Sequence, residues 1–111
     1  MPDLPIDIDV TTVKQLRDAG TPFLLLDVRN PDENALAKIE GSTLIPMSEL
    51  QSRLAELEPR KNEPIVVHCH HGGRSLKATT FLRQQGFTQV QNMAGGIDAW
   101  SVSVDSSVPR Y

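Results

Sequence analysis

Ile65-Val66-Val67-His68-Cys69-His70-His71-Gly72-Gly73-Arg74-Ser75 is the stretch on which the fold turns. Its first five residues run without alternating apolar and polar side chains, the pattern of a strand covered on both faces. The two glycines then open a tight polar loop. Residues 74–85 follow as a predicted helix, with Ala78, Phe81 and Leu82 facing inward and Gly86 as its stop. Strand, glycine loop and helix in succession are the unit of a parallel sheet, whose ligands bind at strand C-termini.

A second run of the same kind, Leu24-Leu25-Leu26-Asp27-Val28, lies upstream, and Pro22 and Pro64 sit just before the two runs, where strands begin. Weaker strands are predicted near residues 6–10 and 90–93, with a short one near 43–45. Helix punctuation fills the gaps. Thr12 followed by Gln15, with a stop at Gly20, reads as a capped helix. Asn30-Pro31-Asp32-Glu33 has an N-cap, a proline at the first helical position and a glutamate three residues after the cap. Ser48 and Gln51 form a similar box before Leu50, Leu54 and Leu57, with Pro59 ending that helix. A last short helix carries Ile97, Ala99 and Trp100. The pattern predicts an α/β fold: a small, mostly parallel sheet of about five strands with helices on both faces.

With 111 residues the chain is read as one domain, residues 1–111. Its 39% hydrophobic and 23% charged residues are those of a soluble globular protein. Eleven basic residues against 14 acidic ones leave a net charge of -3, which argues against nucleic acid or anionic lipid as a partner. No stretch approaches the roughly 18 apolar residues of a membrane span, and the start lacks a basic region followed by an apolar run. A monomer in the cytoplasm is the expectation. Cys69, the single cysteine, excludes an internal disulfide and any four-thiolate metal site.

One thiol remains to explain. The glycines let several N–H groups turn inward as an anion-binding nest around the Cys69 sulfur, and the following helix adds its positive end. Such surroundings lower a thiol pKa to about 3.5–7.5, so Cys69 is predicted to be a nucleophile at neutral pH without a dedicated base. The plainer reading is a small buried hydrophobe. A polar glycine loop and a nearby arginine favour the first. Cys-dependent phosphatases place five residues between nucleophile and arginine, whereas four separate Cys69 from Arg74 here. The tighter loop suits one outer sulfur atom better than a tetrahedral oxyanion.

His68, His70, His71 and Cys69 cannot all face one ion, because adjacent residues of an extended segment point to opposite sides, so no metal site is expected. His68 reads as a buried strand residue, and His70 and His71 as rim residues that favour anions when protonated or are simply solvated. Asp27 and Arg29 share the sheet edge of Cys69 and either brace the loop or, through an Arg29–Glu33 pair, staple their own turn. Gly95-Gly96 provides a close backbone approach, and Trp100 is a core anchor.

At this point the chain resembles a single-domain rhodanese, a sulfurtransferase. Asp27-Val28-Arg29-Asn30-Pro31-Asp32-Glu33 is similar to the family's first motif. Cys69 to Ser75 is similar to its active-site loop, and Gly95-Gly96-Ile97-Asp98-Ala99-Trp100 to its C-terminal motif. The tail Val108-Pro109-Arg110-Tyr111 resembles that of bacterial members, some of them fused to enzymes that adenylate ubiquitin-like sulfur carriers. Lys38-Ile39-Glu40-Gly41-Ser42 and Asn34 depart from the family pattern. The resemblance implies a two-step transfer without a cofactor. Cys69 takes a sulfane sulfur from a small anionic donor such as thiosulfate, and a thiol or cyanide acceptor removes it. It also implies that inward amides of His70, His71, Gly72, Gly73, Arg74 and Ser75 stabilise charge on sulfur, with Arg74 holding the donor or pairing beside the loop. The alternatives are a non-enzymatic relay or docking module for a partner protein, and a small Cys-dependent phosphatase or arsenate reductase.

Overall fold

A computed structural model describes residues 4–111. Five strands form one sheet: β1 (Asp7–Ile8), β2 (Leu24–Asp27), β3 (Thr43–Leu44), β4 (Ile65–His68) and β5 (Val90–Met93). Their order is β1-β5-β4-β2-β3 and every neighbouring pair is parallel. The expected α/β architecture is therefore the observed one. β2 and β4 are buried along their whole length at the centre, and the two-residue strands β1 and β3 form the edges, where little backbone is left unpaired.

Alternation along the central strands divides the core in two. Leu24, Leu26 and Val28 of the β2 segment join Ile65, Val67 and Cys69 on one face, covered by Ala78 and Leu82 of helix α3 (Gly73–Gln84). Leu25 and Val66 face the other way, toward Val10 and Val13 of α1 (Val10–Asp18) and Ile97 and Trp100 of α4 (Gly96–Ser103). Runs without alternation were the sign of such double burial. No described helix is long and apolar enough to cross a membrane.

Three local expectations are corrected. The first strand stops at Ile8 because Asp9, not Thr12, caps α1: the Thr12 N–H donates to Asp9 Oδ1 at 2.7 Å. The helix expected from Ser48 to Leu57 is instead three 3-10 turns, Met47–Glu49, Leu54–Glu56 and Glu58–Arg60. A 3-10 turn rises about 2.0 Å per residue against 1.5 Å in an α-helix. This segment is tied at both ends, Met47 N–H to the Val28 carbonyl and Thr88 N–H to that of Lys61, so the longer rise lets it reach from β3 past β2 to β4 while Leu50 and Leu57 stay buried. The third is minor: the edge strand near 43–45 ends at Leu44. By contrast α2 (Pro31–Leu36) has the expected capping glutamate, with the Asn30 N–H donating to Glu33 Oε1 at 3.2 Å.

Candidate active site

Cys69 follows the last residue of β4, so its backbone leaves the sheet where the C-terminal ends of β2 and β4 lie side by side, with Asp27 opposite His68. The side chain stays on the α3 face and is 1% exposed. Between strand and helix the chain must reverse within a few residues, and Gly72 does this at φ 114°, a conformation that side-chain-bearing residues rarely adopt. The turn directs amides at the sulfur. Sγ accepts hydrogen bonds from the N–H of Gly72 at 3.1 Å, the N–H of Ser75 at 3.4 Å and the Ser75 hydroxyl at 3.4 Å.

The expected ring of inward amides from 70 to 75 is thus narrower in fact, with direct bonds from Gly72 and Ser75. Gly73 is also corrected. It is the first residue of α3, has no positive φ, and space for a methyl group surrounds it. Burial pushes the Cys69 thiol pKa up, but the bonds from the Ser75 hydroxyl and the Ser75 and Gly72 amides, helped by the nearby Arg74 amide, outweigh it and leave the pKa lowered.

The loop's carbonyls are held away from the sulfur by α4. The Ile97 N–H donates to the Cys69 carbonyl at 2.9 Å and the Asp98 N–H to the His70 carbonyl at 3.1 Å. These are the free amides of a helix start, and they satisfy the acceptors that a sharp turn leaves over. The contact requires Gly96, since a Cβ there would sit 2.6 Å from the Cys69 carbonyl oxygen. The Gly95-Gly96 expectation of a close backbone approach is met at this point.

Arg74 is engaged by Glu33. Its Nη1 and Nη2 donate to the two carboxylate oxygens at 2.6 and 2.8 Å, joining α3 to α2. This is the pairing alternative to donor binding. The Arg74 guanidinium, first among the causes, draws the Glu33 carboxyl down to about pKa 2. Arg29 does not pair with the Glu33 side chain. It is completely buried, bonds both Asp27 oxygens (Nε to Oδ1 2.9 Å, Nη2 to Oδ2 2.8 Å) and also donates to the Ala37 carbonyl at 2.7 Å. Burial opposes the Asp27 charge, yet the Arg29 bonds prevail and hold its pKa below the ordinary value. Asn34, one of the departures from the family pattern, donates to the same carboxylate at 3.1 Å.

The histidines separate as expected. His68 is fully buried, and burial drives its pKa down to about 4, so it is neutral. Its Nδ1 lies 3.3 Å from the Cys69 carbonyl while Nε2 has no partner, which suits the tautomer with the proton on Nδ1. His70 is half-buried and stacked on exposed His71, ring centroids 3.9 Å apart.

Three residues escaped the sequence reading. Asn92 of β5 accepts from the Ser75 hydroxyl through Oδ1 at 2.5 Å, while its Nδ2 donates to Asp7 Oδ1 at 3.0 Å. A buried asparagine between Val90 and Met93 was the available signal. Tyr111 stacks on His70 (centroids 3.9 Å, planes 9° apart), donates its hydroxyl to Glu33 Oε2 at 2.7 Å and accepts from Arg29 Nη1 at 3.0 Å. Glu33 was weighed as a partner for the wrong arginine.

A five-stranded parallel α/β sheet with a single cysteine in an amide-lined loop at a central strand end is the class of domain that the fold and the site define. The chain belongs to the rhodanese-like domain family, whose model matches residues 9–103. It is 35% identical to a sulfurtransferase of Allochromatium vinosum over 95 residues, covering 86% of this chain and 87% of that protein. It is also 40% identical to the adenylyltransferase and sulfurtransferase MOCS3-1 of Zea mays, over 88% of this chain but only 22% of the relative's length. Among solved structures, the human single-domain sulfurtransferase TSTD1 superposes with a TM-score of 0.80 at 29% identity, covering 89% of this chain and 97% of that one.

Proposed function

We propose that residues 1–111 act as a single rhodanese-like domain that transfers sulfane sulfur through a persulfide on Cys69. The observation that carries this reading is the sulfur of Cys69 facing the amides of Gly72 and Ser75 at the start of α3. In the first step the thiolate attacks the outer sulfur of thiosulfate. A Cys69–sulfur bond forms, the donor's sulfur–sulfur bond breaks, and sulfite leaves with the bonding pair. The enzyme holds Cys69–S–S⁻, so one negative charge remains on the cysteine throughout. The same amides then serve the displaced charge as oxyanion-hole donors serve oxygen. In the second step cyanide or a thiolate takes the outer sulfur and Cys69 returns as thiolate. Over the two steps together the protein returns to its starting oxidation level, because the sulfane sulfur gained in the first is given up in the second, and neither step needs a cofactor.

A free thiol that must persist suits a reducing cytoplasm. The short loop, with four residues between Cys69 and Arg74, favours sulfur over phosphate or arsenate. A second reading, delivery of sulfur by a partner protein, is supported by the engagement of Arg74 with Glu33, which leaves no unpaired guanidinium on Arg74 for a small anion. Relatives point the same way: the chain is 35% identical to the putative sulfur carrier protein YrkF of Bacillus subtilis, over 86% of this chain and 50% of that protein.

Incubation with thiosulfate is expected to add about 32 Da to the intact protein, one sulfur atom, and Cys69→Ser to abolish both the gain and thiocyanate formation. Thiocyanate formed by the serine variant at the original rate would overturn the proposal.

A further inference from the structure

Resting on that proposed function, the surroundings of Arg74 carry a statement about which donors the site accepts. We propose that Glu33 and Tyr111 are positioning residues that set the donor-charge preference of Cys69, holding Arg74 in an internal pair and so disfavouring doubly charged donors.

The geometry is unusually complete for a surface pair. Glu33 Oε1 accepts from Arg74 Nη1 at 2.6 Å and from the Asn30 N–H at 3.2 Å. Oε2 accepts from Arg74 Nη2 at 2.8 Å and from the Tyr111 hydroxyl at 2.7 Å. Four donors therefore occupy the roughly four lone-pair positions that a carboxylate offers. The Glu33 side chain is only 14% exposed, which limits the screening that weakens open ion pairs.

Tyr111 is the piece that locks this arrangement. Its hydroxyl gives its single proton to Glu33 and receives one from Arg29, whose own position is fixed by Asp27 and the Ala37 carbonyl. Asp27, Arg29, Tyr111, Glu33 and Arg74 thus form one continuous polar chain from the end of β2 to the start of α3. Two carboxylates and two guanidiniums cancel within it. On the other side of the stacked His70 and His71, Asp98 binds Arg110 at 2.9 Å and lies 4.0 Å from His71. A dianion approaching an already anionic thiolate meets no unneutralised arginine in either group. A donor with one charge fewer suffers less repulsion, and a thiol-borne persulfide on a larger carrier can draw on contacts elsewhere.

Ordinary packing of the tail predicts something different, because the stacked ring alone would satisfy it. Tyr111→Phe keeps the ring and removes only the hydroxyl. Glu33→Gln keeps an acceptor for the Asn30 N–H, as glutamine also serves in a capping box, and removes the charge.

The test compares steady-state loading by thiosulfate, a dianion, with loading by methanethiosulfonate, a monoanion that offers the same kind of sulfane sulfur, at saturating cyanide. In Glu33→Gln the KM for thiosulfate is expected to fall about three- to tenfold, the scale of one partly screened charge, with kcat little changed. The KM for methanethiosulfonate should fall less. Tyr111→Phe should shift the ratio of the two KM values in the same direction, by about twofold. An unchanged ratio in both variants, or KM values that rise together for both donors, would overturn the proposal while wild-type loading still upheld the sulfur-transfer reading. Wild-type protein loaded by neither donor would sink both.

Discussion

The Ser75 hydroxyl has one proton and three acceptors within reach: Asn92 Oδ1 at 2.5 Å, the Gly72 carbonyl at 3.2 Å and Cys69 Sγ at 3.4 Å. The orientation of Asn92 is not free, because its amide nitrogen must face the Asp7 carboxylate and so turns Oδ1 to Ser75. While the sulfur is protonated, the nearer amide oxygen holds the hydroxyl proton. Once the sulfur is charged it becomes the stronger acceptor, and the proton can turn to it while the two amides hold fast. Ser75→Ala is therefore expected to slow alkylation of Cys69 by iodoacetamide about three- to tenfold at pH 7, through a higher thiol pKa. A pH–rate curve unmoved from that of the wild type would place the whole stabilisation on the backbone. At this scale Cys69 and the loop glycine were legible because they are adjacent in sequence. Asn92 was not, because it lies 17 residues from Ser75 and only β5 pairing with β4 brings it alongside.

Among the elements, the loop is held between two helix starts, and the glycines in them have unequal roles. Gly96, at φ 61° and against the Cys69 and His70 carbonyls, lets α4 donate its first amides to the loop. Gly96→Ala is expected to lower stability by about 2–4 kcal/mol and to remove sulfur loading at Cys69, read by urea unfolding and intact mass. Gly73→Ala should be neutral or stabilising by up to about 1 kcal/mol, since it is helical and unobstructed. Equal losses from both would mean that the α4 contact is incidental. The glycine pair in the loop looks symmetric as sequence, and only the backbone angles distinguish the turn residue from the helix residue. The segment 47–60 failed as a helix for a related reason. Its apolar spacing of three and four suits α and 3-10 turns alike, and the distance it has to cover is set by β3 and β4, not by its own residues.

For the molecule as a whole, the polar groups at the strand ends make stability depend on pH. His68 has a folded pKa of about 4 against an ordinary 6.5, because burial disfavours its charged form. The unfolded chain therefore binds the proton more readily. His68 contributes its full stability above pH 6.5, loses it as pH falls, and has lost roughly 3 kcal/mol once below pH 4. Urea midpoints should decline between pH 6.5 and 4, and in His68→Gln most of that decline should vanish. A slope that survives the substitution would assign it elsewhere. Glu33, with its pKa drawn down to about 2, adds a separate loss only below its ordinary 4.5. What the sequence by itself determined is local and periodic: the doubly buried strands, the Asn30 cap, a reversal within the Gly72-Gly73 pair and Cys69 as the candidate nucleophile. Each follows from residues within a few positions of one another, where dihedral preference and burial pattern act. Tertiary structure alone decided that Arg74 answers to Glu33, that Asn92 shares Ser75 with the sulfur, and that Tyr111 closes the chain from Arg29 to the loop. Those contacts join residues 17 to 82 positions apart. No local preference encodes such a meeting, because it exists only after the parallel strands have placed their C-terminal ends along one edge.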